Sequence, residues 1–152
     1  MNGVEIKLQL HAQCMDFVKQ RISFARQAMD GAQASANMEE KSSAGDKYET
    51  GRAMAQLERD KAASQVSEAM KMKAVLDKIN PAITHSEAML GSLITTENNN
   101  FYISISAGKL VVGEVVYLAI SAQSPIGLLL LNKCARESFI FNHQKQTIVS
   151  VF

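Results

Sequence analysis

The chain has no tryptophan, only two cysteines and only two prolines among its 152 residues. Cys14 and Cys134 fall in different halves without metal-type spacing, so they read as reduced thiols and not as a disulfide framework. Cys134 has no histidine near it in sequence, which argues against a thiol nucleophile. His11, His85 and His143 are scattered, and none has a second ligand three or four positions on; no stably bound metal and no cofactor of its own are expected. The formal net charge is only +1, and no basic stretch is dense enough to track a phosphate backbone. Contact with RNA or DNA is therefore expected only indirectly, through a protein partner. The strongest apolar run, Ile126-Gly127-Leu128-Leu129-Leu130-Leu131, is far too short to cross a bilayer. Met1-Asn2-Gly3-Val4-Glu5 lacks the basic and apolar regions of a secretory signal, so a cytoplasmic, membrane-free protein is expected.

What is present is the composition of a folded protein, with 47% hydrophobic and 20% charged residues. The length suits one ordinary domain, or an extended element plus a small globular unit. In the N-terminal half Val4, Leu8, His11, Met15, Val18, Ile22, Ala25, Met29 and Ala32 are spaced alternately four and three. That is the seam of a helix packed on a partner helix. Ile6, Leu10, Phe17 and Phe24 widen the apolar face near its base. Polar residues take over from Glu39 to Asp46, as in a tight helix-to-helix turn. A second helix is predicted from about Lys47 to Ile79, with Leu57, Ala62, Val66, Ala69, Met72, Leu76 and Ile79 as its stripe. Pro81 stops it, with Asn80 as cap. Residues 1–80 then form an antiparallel coiled-coil hairpin reaching roughly 45–55 Å at 1.5 Å per residue, with its tip near 39–50.

Beyond Pro81 the pattern turns to strands. Leu93–Thr96 and Phe101–Ile105 flank Asn98-Asn99-Asn100, and Leu110–Val112 and Val115–Ile120 flank Gly113-Glu114, two hairpins in series. Ser124 caps a short apolar helix, Ile126–Leu131, with Pro125 in its first turn. Phe139–Phe141 and Thr147–Phe152 supply the last strands. The fold class is α+β: a long helical hairpin, then residues 81–152 as a small, mostly antiparallel sheet with one helix on it.

The tip carries the chemistry. Gly45-Asp46-Lys47-Tyr48-Glu49 sets two carboxylates three residues apart, at the far end of the hairpin. Asp-x-x-Glu before a helix is also a capping box, Asp46 as cap and Glu49 answering it, and needs no catalytic purpose. The two readings are compatible, because capping would orient the acids.

Taken in order, these parts resemble the bacterial transcript-cleavage factors GreA and GreB. Gly45-Asp46-x-x-Glu49, with Ala44 before it and Ala55 downstream, is similar to the family's Gly-Asp-x-x-Glu-Asn tip. Ile120-Ser121-Ala122-Gln123-Ser124-Pro125-Ile126-Gly127, followed by Leu130-Leu131-Asn132-Lys133, is similar to the Ser-Pro turn and short helix of its C-terminal domain. The resemblance implies an FKBP-like C-terminal domain and a coiled coil docked in the secondary channel of RNA polymerase. It implies an accessory factor, not an enzyme: Asp46 and Glu49 would assist Mg2+ supplied at the polymerase active site, so that backtracked RNA is cleaved. Tyr48, Ser124 and Pro125 become candidate partner contacts. The chain departs from the family at Thr50 and Ala53, where Asn and Tyr are usual, and at Asn132 and Arg136, where glycines are usual.

Thr50 and Ala53 keep open an alternative, a regulator that occupies the channel without cleaving. A prolyl isomerase is a third reading, disfavoured because an aromatic-lined pocket is needed and tryptophan is absent. A coiled-coil dimerisation protein is a fourth; an intramolecular hairpin instead agrees with a monomer.

Overall fold

The computed structural model describes the backbone of residues 1–40 and 45–152 and the side chains of residues 1–38 and 50–152. The element order is α1 (Gly3–Glu40), α2 (Gly45–Asp77), β1 (Leu93–Thr96), β2 (Asn100–Ser104), β3 (Gly108–Val112), β4 (Val115–Ser121), α3 (Pro125–Leu130), β5 (Ser138–Phe141) and β6 (Gln144–Val151). The protein is α+β, a long N-terminal helical region followed by a mostly antiparallel sheet and one short helix. Two compact units are formed. One is Met1–Phe17 with Ala74–Phe152, and the other is Val18–Lys73.

In the Val18–Lys73 unit, small side chains are buried at seven-residue intervals. Val18, Ala25 and Ala32 on α1 and Ala55, Ala62 and Ala69 on α2 are all buried. Seven residues are close to two helical turns, so each set lies on one face. Residues of both helices line common grooves, Phe24 and Ala25 with Gln65 and Ala69, and Ala28 with Glu58 and Ala62. Two expectations are corrected here. Leu57 is 69% exposed and Ala55 takes its place, while Phe24 is 67% exposed and does not widen the buried face. A seam built of alanines leaves no room between helices for a leucine or phenylalanine, so the larger side chains lie outside it.

In the other unit α1 starts with a reciprocal cap. The Asn2 side chain accepts from Glu5 N (2.9 Å) and the Glu5 carboxylate accepts from Asn2 N (3.0 Å). Over these first turns the buried line differs from the expected seam: Lys7, Leu10 and Cys14 are buried, and Leu8 is 47% exposed. The reason is that this stretch packs on strands, where its polar groups find partners. His11 meets Tyr102, Cys14 meets Ser104, and Gln13 donates to the Val111 carbonyl.

The six strands run in the order β3-β4-β2-β1-β6-β5. All neighbours are antiparallel except β2 and β4, which pair in parallel through Phe101↔Leu118 to Ser104↔Ser121. Strand β2 is buried along Phe101–Ser104. Its alternation sends Phe101 and Ile103 into a core with Ile94, Ile126, Leu130, Phe139 and Ile148, while Tyr102 and Ser104 face α1. The six-residue helix α3 could not stand alone. It is anchored by Ile126 and Leu130, one turn apart, each contributing about 1.5–3 kcal/mol by burial.

The expected ends agree closely, though α2 starts at Gly45 and finishes at Asp77. The Asn80 side chain instead accepts from Ala82 N at 3.0 Å, an Asx turn leading away from the helix. Asn132 (φ 67°) and Arg136 (φ 76°) adopt the left-handed backbone, as do Asn142 (φ 53°) and His143 (φ 64°) in the two-residue β5–β6 turn. Asparagine tolerates that region, whereas arginine is strained in it.

Two substitutions test this account. Arg136→Gly is expected to raise stability by about 0.5–1 kcal/mol in urea unfolding, the relieved strain outweighing the entropy of the added glycine. A Cβ on Gly127 would collide with the Ser121 carbonyl oxygen, so Gly127→Ala is expected to cost about 2–3 kcal/mol.

Candidate functional site

Asp46 is the second residue of α2, which opens at Gly45, and Glu49 is its fifth, one turn on; Asp46 thus lies inside the helix and not at the cap position expected from the sequence. Positions three apart on a helix share a face, and the start of a helix carries unpaired N–H groups and the positive end of its dipole. The backbone thus puts two acidic residues together where negative charge is favoured. The side chains of Glu39, Glu40, Asp46, Tyr48 and Glu49, and the whole of 41–44 with Ala44, lie outside the described residues. Just beyond, Thr50 and Ala53 are exposed and Ala55 is buried.

Ser124 and Pro125 sit at the start of α3, after β4. The Ser124 hydroxyl accepts from Gly127 N (3.1 Å) and donates to the Ser121 carbonyl (2.6 Å). With its proton and an acceptor position used inside the chain, Ser124 serves first as a helix cap. Pro125 is exposed beside it. Ser124 and Pro125 therefore offer a partner a shaped turn and an apolar ring, more than a free hydroxyl.

A second group of polar residues went unnoticed in the sequence because it is spread over 7–104 and reads there as parts of apolar stripes. Lys7, His11 and Cys14, spaced four and three, line the sheet-facing side of α1. Lys7 Nζ donates to the Ile83 carbonyl and to the Phe152 main-chain oxygen (3.3 Å). Tyr102 OH and His11 Nδ1 are 3.1 Å apart, and Cys14 Sγ and Ser104 Oγ 3.6 Å apart. His85 Nδ1 lies 2.9 Å from Ser92 Oγ, which also accepts from Met89 N.

Burial governs the charge states of this group. It lowers Lys7 to about 8, because an ammonium taken out of water loses hydration that two carbonyls replace only in part. Burial also lowers His11, opposed by the nearby Asp77 carboxylate. It lowers His85 too, assisted by the positive charge of Lys7. It raises the Cys14 thiol, opposed by the Ser104 hydrogen bond, and it raises the Tyr102 phenol. The resulting thiol is inert. Lys7, Cys14, Ser92, Tyr102 and Ser104 are all buried, at most 2% exposed, so no substrate reaches them, and the group joins α1 to the sheet.

Among the described residues no three or more His, Cys, Asp or Glu side chains are placed to hold a metal ion, and no helix is long and apolar enough to cross a membrane. Comparison of the chain with protein-family models, with curated proteins and with solved structures gave no match.

The buried lysine yields a pH test with a definite sign. Its folded pKa of about 8 lies below the ordinary 10.5, so between those values the unfolded chain holds a proton that the folded chain has released. Stability contributed by this group therefore rises with pH through that window. The stability of the wild-type chain relative to Lys7→Met is expected to grow by about 1 kcal/mol from pH 7 to pH 9. Urea unfolding at both values checks it; a difference that does not change with pH would show that Lys7 is not buried as a cation.

Proposed function

We propose that this protein is an accessory factor for RNA polymerase, of the transcript-cleavage type. On this reading α1 and α2 pair as an antiparallel coiled-coil hairpin that enters the secondary channel, and the C-terminal sheet is FKBP-like and rests on the polymerase exterior. The observation that carries the reading is the place of Gly45-Asp46-x-x-Glu49. It opens the second of two helices, each more than thirty residues long, with only residues 41–44 between them. The alanines buried at seven-residue intervals on both helices support the hairpin, and the Ser124-capped turn into α3 supports the likeness of the C-terminal part.

The chemistry follows from the donor set. Carboxylate oxygens are hard ligands suited to Mg2+, and two of them on one helical face can complete the shell of an ion that the polymerase holds weakly. Such an ion supplies an activated water and charge stabilisation for in-line phosphodiester hydrolysis. Asp46 and Glu49 would orient that ion and water; the polymerase would supply the remaining ligands. No general base or nucleophile is required from this chain. Two acids alone hold Mg2+ loosely, so the metal belongs to the polymerase and not to the free factor.

The exposed Thr50 and Ala53, beside the acids, favour a second reading in which the protein occupies the channel and alters initiation or pausing without cleavage. Stalled, backtracked polymerase incubated with the chain separates the two. Release of short 3′ RNA fragments is expected, falling at least about a hundredfold with Asp46→Asn or Glu49→Gln. Release unchanged by both substitutions would remove the acids from the mechanism. No release from the wild-type protein, with competition against a known channel ligand, would establish the non-cleaving reading.

A further inference from the structure

The two sides of the Val18–Lys73 unit differ in charge. One carries Lys19 and Arg26 on α1 in the lining of a groove that also holds Asp30, so cations outnumber acids on α1 there and a second copy would be repelled. The other side has exposed apolar surface: Phe24 on α1 is 67% exposed and Met54 on α2 is 60% exposed. An open groove of about 490 Å³ lies beside Phe24, with Gln65 and Glu68 among its α2 residues. It shares Gln65 with a second groove, whose α2 residues include Glu58 and Lys61. Glu58 and Lys61 are exposed, and among the described residues neither makes a hydrogen bond or an ion pair.

We propose that this side docks a second copy of the chain, related to the first by a two-fold axis that crosses α2 between residues 59 and 60. An antiparallel pair of α2 helices about that axis sets Glu58 of each copy against Lys61 of the other, twice over. The same axis sets Met54 of each copy against Gln65 of the other, at the groove beside Phe24. Charge pairing and apolar filling are separate requirements, and here one axis meets both. An isologous interface demands that self-complementarity. Met54 suits the role, since an unbranched thioether adapts to an irregular groove, and an exposed phenylalanine supplies the apolar area beside it. The charge pairs set the register, and the Met54 and Phe24 surface supplies most of the affinity.

Pairing does not depend on the polymerase reading. If both hold, the pair forms at high concentration, and the single copy expected from the sequence engages the polymerase, because the same helix faces cannot be covered twice.

Sedimentation equilibrium of the full chain across the micromolar range tests the proposal. The mass is expected to rise from one copy to two with concentration. Glu58→Lys and Lys61→Glu, each alone, are expected to weaken association about tenfold or more, because each sets like charges opposite one another at both contacts. The double variant E58K/K61E is expected to restore it, since the pairing survives exchange of both signs. Met54→Gln is expected to weaken association independently of salt. Helical circular dichroism, unchanged in these surface variants, separates lost pairing from lost folding. A chain that stays at the mass of one copy throughout overturns the proposal. So do single reversals that pair as well as wild type, or a double variant no tighter than the singles.

Discussion

Strand β2 is buried on both faces, and the arrangement of the sheet-bearing unit depends on it. Phe101 and Ile103 face the core under α3, while Tyr102 and Ser104 face α1. A strand of five residues can anchor two layers only if its neighbours hold its register. Here β1 pairs with it antiparallel and β4 in parallel, so both edges are satisfied. The two faces differ in chemistry. The α3 side is mostly hydrocarbon, with the buried Thr96–Gln146 hydrogen bond as its polar element, whereas the α1 side contains a phenol, a hydroxyl, a thiol, an imidazole and an ammonium. Every one of those buried polar groups has a hydrogen-bond partner, which is the condition for such a layer to be tolerated. Polar partners also give α1 one rotational setting on the sheet, where a purely apolar face would accept several.

The Val18–Lys73 unit solves a different problem. Its buried residues are mostly alanines, with Ile22, Met29 and Val66 half-buried beside them. Alanine loses no side-chain entropy on burial and favours helix intrinsically, but each one buries little area. Buried positions filled by side chains this small leave the larger apolar side chains on the surface. Phe24, Met54 and Leu57 are exposed for that reason. The composition of the seam and the apolar patches outside it are two consequences of one choice of residue size.

How much of this was legible depended on where periodicity dominates. The strands and α3 were read to within one to three residues, because Val, Ile and Phe runs are bounded by asparagine, glycine and the Ser124-Pro125 start signal. From Val18 onward the residues expected on the α1 seam are the buried and half-buried ones. Before Val18 the expected seam was displaced toward Leu8 and Met15, because hydrophobicity says nothing of what lies opposite: on a sheet that offers carbonyls and hydroxyls, Lys7 and Cys14 are the better inward residues. Leu57 was misplaced for a similar reason, hydrophobicity outranking fit in a seam that admits only alanine. The left-handed backbone at Arg136 has no local sign, since arginine does not favour it, whereas Asn142-His143 is a pair that tolerates it. Likeness to a glycine-bearing pattern was the sole hint at Arg136. The group at Lys7, His11, Cys14, Tyr102 and Ser104 joins residues up to 97 apart in the chain, beyond the reach of any pattern of short spacing.

The acidic pair at the head of α2 sits where structure and chemistry ask for the same residues. A helix start with a carboxylate near its free N–H groups is favoured whether or not a cation ever arrives. The same placement lowers the cost of setting two acids one turn apart. Paired carboxylates elsewhere on a helix repel each other across one turn, whereas in the first turn the dipole offsets part of that repulsion. Two acids one turn apart are therefore least costly near a helix N-terminus. The same two residues in the middle of α2 would gain neither the dipole nor the free N–H groups.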